Sequence, residues 1–267
     1  MDRLQDVTHF SSLDLAQGYY QIGILESDKE KTAFKTVDGL YEFSTITMGL
    51  TNAPSMFQSM MNTTFKGLEF CVIIYLDDIL VFSRSEDDHI MDLELVLARL
   101  KLHGLIAKKS KCCCFKPSLK FLGHVVSAIG ILHDPSKVAV VKEWAIPVNQ
   151  TLLRGFLGLA NYFRRFIHGY AGISSPLELI TGKKGSKKNG PIEWSPDLNT
   201  AFENLKDALC SASCLALPDW NKTFQCVVDA SATGVGGVLM QSRRPIAFLS
   251  KRLNQAEKNY STSDREL

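Results

Sequence analysis

Two adjacent aspartates, Asp77 and Asp78, stand between apolar and β-branched runs at 70–76 and 79–82. Runs of this kind are typical of buried strands. A strand pair joined at the two aspartates would place two negative charges at the tip of a hairpin. A charge beside an apolar core is unfavourable unless another group offsets it. Because carboxylate oxygens bind divalent cations, the pair is predicted to be a metal-dependent catalytic site.

A third carboxylate, Asp14, lies in a second apolar run at 10–15 that also predicts a strand. If this strand neighbours the hairpin in a sheet, the three carboxylates could hold two Mg²⁺ ions about 4 Å apart, an arrangement that supports in-line attack on a phosphorus atom. The simpler alternative is that Asp14 caps the helix after it and that Asp77 and Asp78 form an ordinary turn.

The elements that must position these residues show both strand and helix patterns. A turn signal at Asp38-Gly39 predicts a hairpin between the runs 31–36 and 40–46. Further strands are predicted at 121–126, 223–228, 234–240 and 245–250, and helices at 52–66, 87–102, 135–144, 149–167 and 197–209. A Gly- and Lys-rich connector spans 181–191. The change to a strand-rich pattern predicts a domain boundary between 209 and 221.

The distribution of charge is more informative than the net charge of +2 over 267 residues. No Asp or Glu occurs from 95 to 133, a stretch with one Arg and six Lys. This stretch could follow a phosphate backbone, or it could be a solvated basic face.

Seven cysteines without a CxxC pair argue against a disulfide framework or a zinc site and favour a reducing, intracellular compartment. The consecutive Cys112–Cys114 are predicted to enter a strand. No apolar run reaches membrane-spanning length.

Five motifs occur in one order: FSSLDLAQGYYQI at 10–22, KTAF at 31–34, GLTNAPSMFQ at 49–58, YLDD at 75–78 and FLGH at 121–124. Together they resemble the reverse transcriptase of gypsy-type long-terminal-repeat retrotransposons. The resemblance implies an α+β fold with a right-hand polymerase palm and partial fingers (22–52) over residues 1–130. A helical thumb and connection would follow over 131–215. Residues 216–267 would be the N-terminal part of a ribonuclease H-like α/β domain.

The same resemblance implies roles at the catalytic centre. The catalytic carboxylates would be Asp14, Asp77 and Asp78, and these would bind metal together with Leu15. Nucleotide binding would involve Gln17, Gly18, Tyr19, Met48 and Gly49. Tyr19 would be the gate that excludes a ribose hydroxyl; the alternative is that it is a core aromatic. The family commonly has Pro-Phe-Gly-Leu where this chain has Thr47-Met48-Gly49-Leu50, and Met can fill an apolar floor in place of Phe.

Two further groups of residues would contact nucleic acid by this resemblance. The primer grip, which positions the 3′-hydroxyl, would consist of Phe121, Leu122, Gly123 and His124. The basic stretch would contact the phosphate backbone through Lys108, Lys109 and Lys111.

A second carboxylate site is implied by the C-terminal part of the chain. Cys226–Ser231 and Gly234–Gln241 resemble the first hairpin of the ribonuclease H domain, and 259–267 resemble the start of its first helix. Asp229 and Glu266 would be the first two metal ligands. The family's remaining catalytic Asp lies further downstream, so we expect no ribonuclease H activity from this chain alone.

The predicted function is that of an RNA-directed DNA polymerase from a retrotransposon Pol polyprotein, which uses two Mg²⁺ (or Mn²⁺) ions. The expected partners are an RNA or DNA template with its primer and deoxynucleoside triphosphates, with no membrane partner. Only about ten residues precede the first strand, where the family has further fingers. We therefore expect a fragment, without the other Pol segments. The alternative is a catalytically inactive remnant that binds nucleic acid.

Overall fold

The computed structural model describes residues 3–181, 190–261 and 264. The chain divides into two compact units, Met1–Leu122 with Val126–Ala128, and Gly123–Val125 with Ile129–Leu267. The predicted division into palm, thumb with connection, and ribonuclease H-like part stays a prediction. No helix in the described parts of the chain is both long and apolar enough to cross a membrane.

The first unit combines short strands with two longer helices. Its strands and helices are β1 (His9–Asp14), α1 (Glu26–Lys29), β2 (Phe34–Thr36), β3 (Gly39–Tyr41), α2 (Ala53–Thr64), β4 (Val72–Tyr75), β5 (Asp78–Ser83), α3 (Glu86–Leu102), β6 (Cys113–Lys116) and β7 (Ser118–Phe121). Single 3₁₀ turns lie at Gly18–Gln21, Glu30–Thr32 and Lys109–Lys111.

The sheet that carries the aspartates has the strand order β4-β5-β1-β6, and its neighbouring strands are antiparallel. β5 is buried from Ile79 to Ser83, while Asp78 at its start is exposed. α2 packs behind this sheet through Phe57 and Met61, and α3 through Val96 and Leu100, in one apolar cluster. Burial of these side chains holds the sheet and gives its aspartate-bearing end a rigid support.

Local signals explain where α3 begins and ends. The Ser85 hydroxyl accepts a hydrogen bond from the Asp88 backbone N–H at 3.2 Å, which caps the N-terminus. Three acidic residues occupy the first turn, and Arg99 and Lys101 the last. This distribution of charge complements the helix dipole.

The second unit is helical and then strand-rich. Its elements, with the strand shared between the units, are β8 (His124–Ser127), β9 (Gly130–His133), α4 (Pro135–Lys142), α5 (Gln150–Tyr162), α6 (Tyr170–Thr181), α7 (Pro196–Cys210), β10 (Gln225–Ala230), β11 (Gly234–Gln241) and β12 (Arg244–Arg252). Short 3₁₀ turns lie at Arg164–Phe166 and Glu257–Asn259. β7, β8 and β9 form a three-stranded sheet, and the division between the units passes through β8. β10, β11 and β12 form an antiparallel sheet.

Several predicted elements differ from the structure. The single strand predicted at 121–126 is wrong, because Leu122 and Gly123 have φ values of 48° and 72° and form a turn between β7 and β8. Positive φ at both central residues suits the twist of a two-residue hairpin. The helix predicted at 149–167 ends at Tyr162. α6 was not predicted; it contains Pro176, a residue that is unfavourable inside a helix. The strand position of Cys113 and Cys114 is confirmed. Most of the predicted connector, 182–189, lies outside the described residues.

Candidate active site

The three aspartates of the predicted catalytic site meet at one end of the sheet. β1 and β5 pair so that Asp14 lies opposite Asp78, and β4 pairs with β5 so that Tyr75 lies opposite Asp78. The connecting turn therefore consists of Leu76 and Asp77. The prediction that both aspartates form the hairpin tip is wrong in this detail, because Asp78 is the first residue of β5. Residues directly opposite in antiparallel strands share a sheet face, so Asp14 and Asp78 lie side by side.

The proximity of the aspartates affects the pKa of Asp78. Burial raises the pKa of the Asp78 carboxyl above its ordinary value, the charges of Asp77 and then Asp14 raise it further, and Lys111 acts in the opposite direction. The Lys111 Nζ lies 3.1 Å from the Asp14 Oδ2. The resemblance assigned Lys111 to the phosphate backbone, but the structure pairs it with Asp14, one of the predicted catalytic carboxylates.

The hairpin turn is supported by a side chain that the sequence did not single out. Leu76 has φ 54°, a conformation that is costly for a residue with a branched side chain. Its backbone N–H donates to the Gln58 Oε1 at 2.7 Å, and its side chain packs against the core. Gln58 in α2 therefore stabilises the strained turn that presents Asp77. The one signal in the sequence is that Gln58 is the last residue of the motif GLTNAPSMFQ at 49–58.

The segment after Asp14 packs directly against this turn. A Cβ atom added at Gly18 would lie 3.2 Å from the Asp77 Cβ and 3.2 Å from the Phe57 Cζ. Gly18 therefore lets the backbone approach the aspartate turn. The Tyr19 ring contacts the Phe57 ring edge to face, with centroids 5.3 Å apart, and Gln17 has φ 52°. The structure thus places Gly18, one of the predicted nucleotide-binding residues, against the turn that carries Asp77, and Gln17 and Tyr19 flank it in the chain.

Gln21 is a second positioning residue that the sequence did not indicate. Its side chain accepts from the Ile106 N–H at 2.8 Å and donates to the Ile106 carbonyl at 3.0 Å. It also donates to the Ala16 carbonyl. These bonds join the turn after Asp14 to the strand-like segment before Lys108, a link between residues 85 positions apart in the chain.

A divalent cation fits this site by the chemistry of its donors. Carboxylate oxygens are the ligands that Mg²⁺ prefers, and the mutual repulsion that raises the pKa of Asp78 would be relieved by a cation. Among the described residues, however, no group of three or more His, Cys, Asp or Glu side chains is placed so as to hold a metal ion. The Leu15 side chain carries no donor atom, so only its backbone carbonyl could serve as a ligand. The metal roles stay predictions.

The other predicted nucleotide-binding residues lie in the segment before α2. Met48 has an exposed fraction of 69%, and Gly49 is also exposed. Their assignment to the nucleotide floor stays a prediction. Lys108 and Lys109 are exposed as well. The Lys108 backbone N–H donates to the Asp14 carbonyl at 2.8 Å, so this basic segment begins at the aspartates.

The predicted primer grip is a β-hairpin. Phe121 is buried at the end of β7, and Leu122 and Gly123 form the turn described above. In the second unit, the His124 ring stacks on Tyr162, with centroids 5.5 Å apart and an interplanar angle of 9°. Burial, and secondarily the charge of Arg165, lowers the pKa of His124, which favours the neutral form of the ring. Its role as a grip stays a prediction.

The second predicted metal site is described only in part. Asp229 is exposed near the end of β10, with Gly236 of β11 opposite it. It lines an open cavity of about 470 Å³ between this sheet and α6, together with residues such as His168 and Gly172. Glu266 lies outside the described residues. The pairing of these two carboxylates stays a prediction.

Comparison with known families gives two matches. Residues 1–126 match the family "Reverse transcriptase (RNA-dependent DNA polymerase)". Residues 194–267 match the "RNase H-like domain found in reverse transcriptase".

Curated relatives match over nearly the whole chain. The Retrovirus-related Pol polyprotein from transposon gypsy of Drosophila melanogaster is 39% identical over 97% of this chain and 26% of its own length. The corresponding polyprotein from transposon opus is 38% identical over 99% of the chain and 27% of its own length. The Transposon Tf2-3 polyprotein of Schizosaccharomyces pombe is 34% identical over 99% of this chain and 20% of its own length. The chain therefore spans about a quarter of the length of the first two relatives and less of the third.

Solved structures share the fold. A foamy viral protease-reverse transcriptase in complex with double-stranded DNA matches with a TM-score of 0.89 and 21% identity, over 97% of this chain and 45% of that one. The foamy viral protein in complex with an RNA/DNA hybrid matches with a TM-score of 0.87 and 21% identity, over 99% of this chain and 36% of that one. These likenesses confirm the predicted α+β polymerase fold followed by a ribonuclease H-like part.

Proposed function

We propose that this chain, which belongs to the reverse transcriptase family, catalyses template-directed DNA synthesis at Asp14, Asp77 and Asp78. The observation that carries the proposal is the strand register, which sets Asp14 opposite Asp78 and places Asp77 in the adjoining turn. The reaction transfers a deoxynucleotide to the 3′-hydroxyl of a primer on an RNA or DNA template. RNA-directed synthesis is the form that the relationship to Pol polyproteins favours.

The carboxylates would hold two Mg²⁺ or Mn²⁺ ions, whose chemistry is to activate the attacking hydroxyl and to stabilise charge on the leaving oxygen. The protein's own contribution is positioning. The apolar cluster behind the sheet fixes the strand ends, and Gln58 fixes the turn that carries Asp77. A rigid support of this kind lowers the barrier by holding reacting groups in place.

The incoming deoxynucleoside triphosphate would bind beside Gly18, with Gln17, Met48 and Gly49 as further contacts. Tyr19 would exclude a ribose 2′-hydroxyl. The Tyr19 ring packs against Phe57, which is buried in the core. This contact would hold the Tyr19 ring in a fixed position. The hairpin from Phe121 to His124 would position the primer end.

Lys108 and Lys109 would contact the phosphate backbone of the primer and template. Both side chains are exposed, and the segment that carries them is joined to Asp14 through the Lys108 backbone N–H. The proposed backbone contacts would therefore lie close to the proposed site of nucleotide transfer.

Primer extension tests the proposal. The purified chain is given a primed RNA template, deoxynucleotides and Mg²⁺ or Mn²⁺, and extension is expected. The double variant Asp77→Asn with Asp78→Asn should extend nothing. Asp38→Asn, which removes a carboxylate from the exposed turn between β2 and β3, serves as the matched control and should extend normally. Ribonucleotides in place of deoxynucleotides should not be incorporated. If the wild-type chain fails to extend, or if the double variant extends, the proposal is wrong.

A second candidate is a catalytically inactive chain that binds nucleic acid. The contact of the Lys111 ammonium group with Asp14 is the observation that favours it. Such a chain would bind a primed template without extending it, and the logarithm of its affinity would fall steeply with the logarithm of salt concentration. An affinity that does not depend on salt would exclude a role in binding the phosphate backbone.

A further inference from the structure

Lys111 is held beside Asp14 by the backbone around it. The Lys108 N–H donates to the Asp14 carbonyl at 2.8 Å, and the Lys111 N–H donates to the Lys108 carbonyl at 2.9 Å. Two residues later, Cys113 of β6 lies opposite Ser12 of β1. These contacts attach the 3₁₀ turn Lys109–Lys111 to both sides of Asp14. The position of the lysine therefore follows from sheet pairing as well as from the choice of side-chain rotamer.

The ammonium group of Lys111 lies where a cation would neutralise the aspartates. Its Nζ is 3.1 Å from the Asp14 Oδ2, and it is also one of the charges that act on Asp78. The Lys111 side chain has an exposed fraction of 56%, against 23% for that of Asp14. The lysine can therefore turn to solvent, while the aspartate stays in place.

We infer that the Lys111 ammonium competes with a divalent cation for Asp14, so that metal binding requires this ion pair to open. The inference rests on the proposed function, because it concerns the same carboxylates. A carboxylate oxygen that contacts an ammonium group at 3.1 Å cannot at the same time be in contact with a metal ion on that side. The positive charge of the lysine also repels an approaching cation. The Lys111–Asp14 ion pair can open at little cost, because ion pairs that are half-exposed to solvent are weak.

The test measures metal affinity directly, without turnover. Mn²⁺ is titrated into the full chain at constant ionic strength, and free Mn²⁺ is measured by electron paramagnetic resonance. Lys111→Met removes the charge and keeps a side chain of similar length. It should bind Mn²⁺ about three- to tenfold more tightly than the wild type, which corresponds to roughly 0.6–1.4 kcal/mol at 1.4 kcal/mol for each factor of ten.

Two variants control for other effects. Lys109→Met makes the same change in net charge two residues earlier on the same exposed turn and should change the affinity less than twofold. Lys111→Arg retains a positive charge and should stay close to the wild type. The double variant Asp77→Asn with Asp78→Asn measures Mn²⁺ bound elsewhere, which is subtracted. Circular dichroism verifies that each variant is folded.

The outcomes separate this inference from the proposed function. If the wild type and Lys111→Met bind Mn²⁺ equally at a site that requires the aspartates, the competition is refuted and the proposed metal site stands. If Lys109→Met gains as much affinity as Lys111→Met, the effect is one of general charge and the inference is again refuted. If neither the wild type nor Lys111→Met binds Mn²⁺ at the aspartates, the competition and the proposed metal site both fail. Binding by Lys111→Met alone would be the strongest support.

Discussion

Replacing Gly18 by alanine tests whether the close approach of two backbone segments positions Asp77. The added methyl group would lie 3.2 Å from the Asp77 Cβ and 3.2 Å from the Phe57 Cζ. Both contacts are shorter than ordinary van der Waals separation, so a neighbour must move by a few tenths of an ångström. Phe57 is buried in the core with an exposed fraction of 1% and resists displacement. Asp77 lies in a two-residue turn, and we expect it to move instead.

The magnitude follows from two opposing terms. Overpacking a core costs about 1–3 kcal/mol. Replacing Gly by Ala where the backbone allows it contributes about 0.4–1 kcal/mol of stability through the unfolded chain. The net loss of stability should therefore lie between about zero and 2.6 kcal/mol. The rate of primer extension should fall as well, because displacement of a catalytic group by 1 Å can cost about a hundredfold in rate. A shift of a few tenths of an ångström should reduce primer extension by about three- to tenfold.

The assay compares the extension rate with the urea midpoint for each variant. Gly23→Ala is the matched control in the same unit, because an added Cβ there meets nothing within 4 Å. It should extend at the wild-type rate. If Gly18→Ala extends within twofold of the wild type while its midpoint is unchanged, the close packing of Gly18 does not position Asp77, and the reasoning is refuted.

Two pH-dependent predictions follow from groups whose pKa the folded structure shifts. Burial, Asp77 and Asp14 raise the pKa of Asp78 above 3.8, so the folded chain holds this proton more tightly than the unfolded chain does, and the ionised form costs stability at neutral pH. Asp78→Asn should therefore raise the urea midpoint at pH 7, and this gain in stability should shrink as the pH falls towards 3.8. The same variant should abolish primer extension. An unchanged or lower urea midpoint at pH 7 would contradict the prediction. Burial, with a smaller contribution from His124, lowers the pKa of His133 from 6.5 to about 4. Folding therefore favours the neutral ring. The free energy of unfolding should decrease as the pH falls from 6.5 to about 4, by roughly 3 kcal/mol at most. His133→Phe should lose less stability than the wild type between pH 7 and pH 4.5 in urea titrations, and an equal loss would show that other groups are responsible.

Much of the candidate site could be predicted from the sequence, because its signals are local. The apolar runs on each side of Asp77 and Asp78 predicted the strand pair, and the run that contains Asp14 predicted a third strand. The hairpin at Asp38-Gly39 is likewise confirmed, although its strands are shorter than predicted. Strand and turn patterns depend on neighbouring residues, so they can be read without the fold.

Other features could not be predicted in this way. The turn at Leu122 and Gly123 was missed because leucine rarely adopts positive φ. The support of Leu76 by Gln58 joins residues 18 positions apart, and that of Ile106 by Gln21 joins residues 85 positions apart. Hydrogen bonds over such separations leave no periodic trace in the sequence.

The sequence by itself indicated the chemistry proposed for this protein, since the types and order of the residues around Asp14, Asp77 and Asp78 resemble those of a polymerase. Only the tertiary structure decided that Lys111, 97 residues after Asp14, contacts this predicted catalytic carboxylate, whereas the resemblance assigned the lysine to the phosphate backbone. The physical reason is the pairing of β6 with β1, a long-range interaction that brings the basic segment to the aspartates. The packing of Gly18 against Asp77 and Phe57 is likewise a tertiary feature, and it leaves little space for a side chain at residue 18.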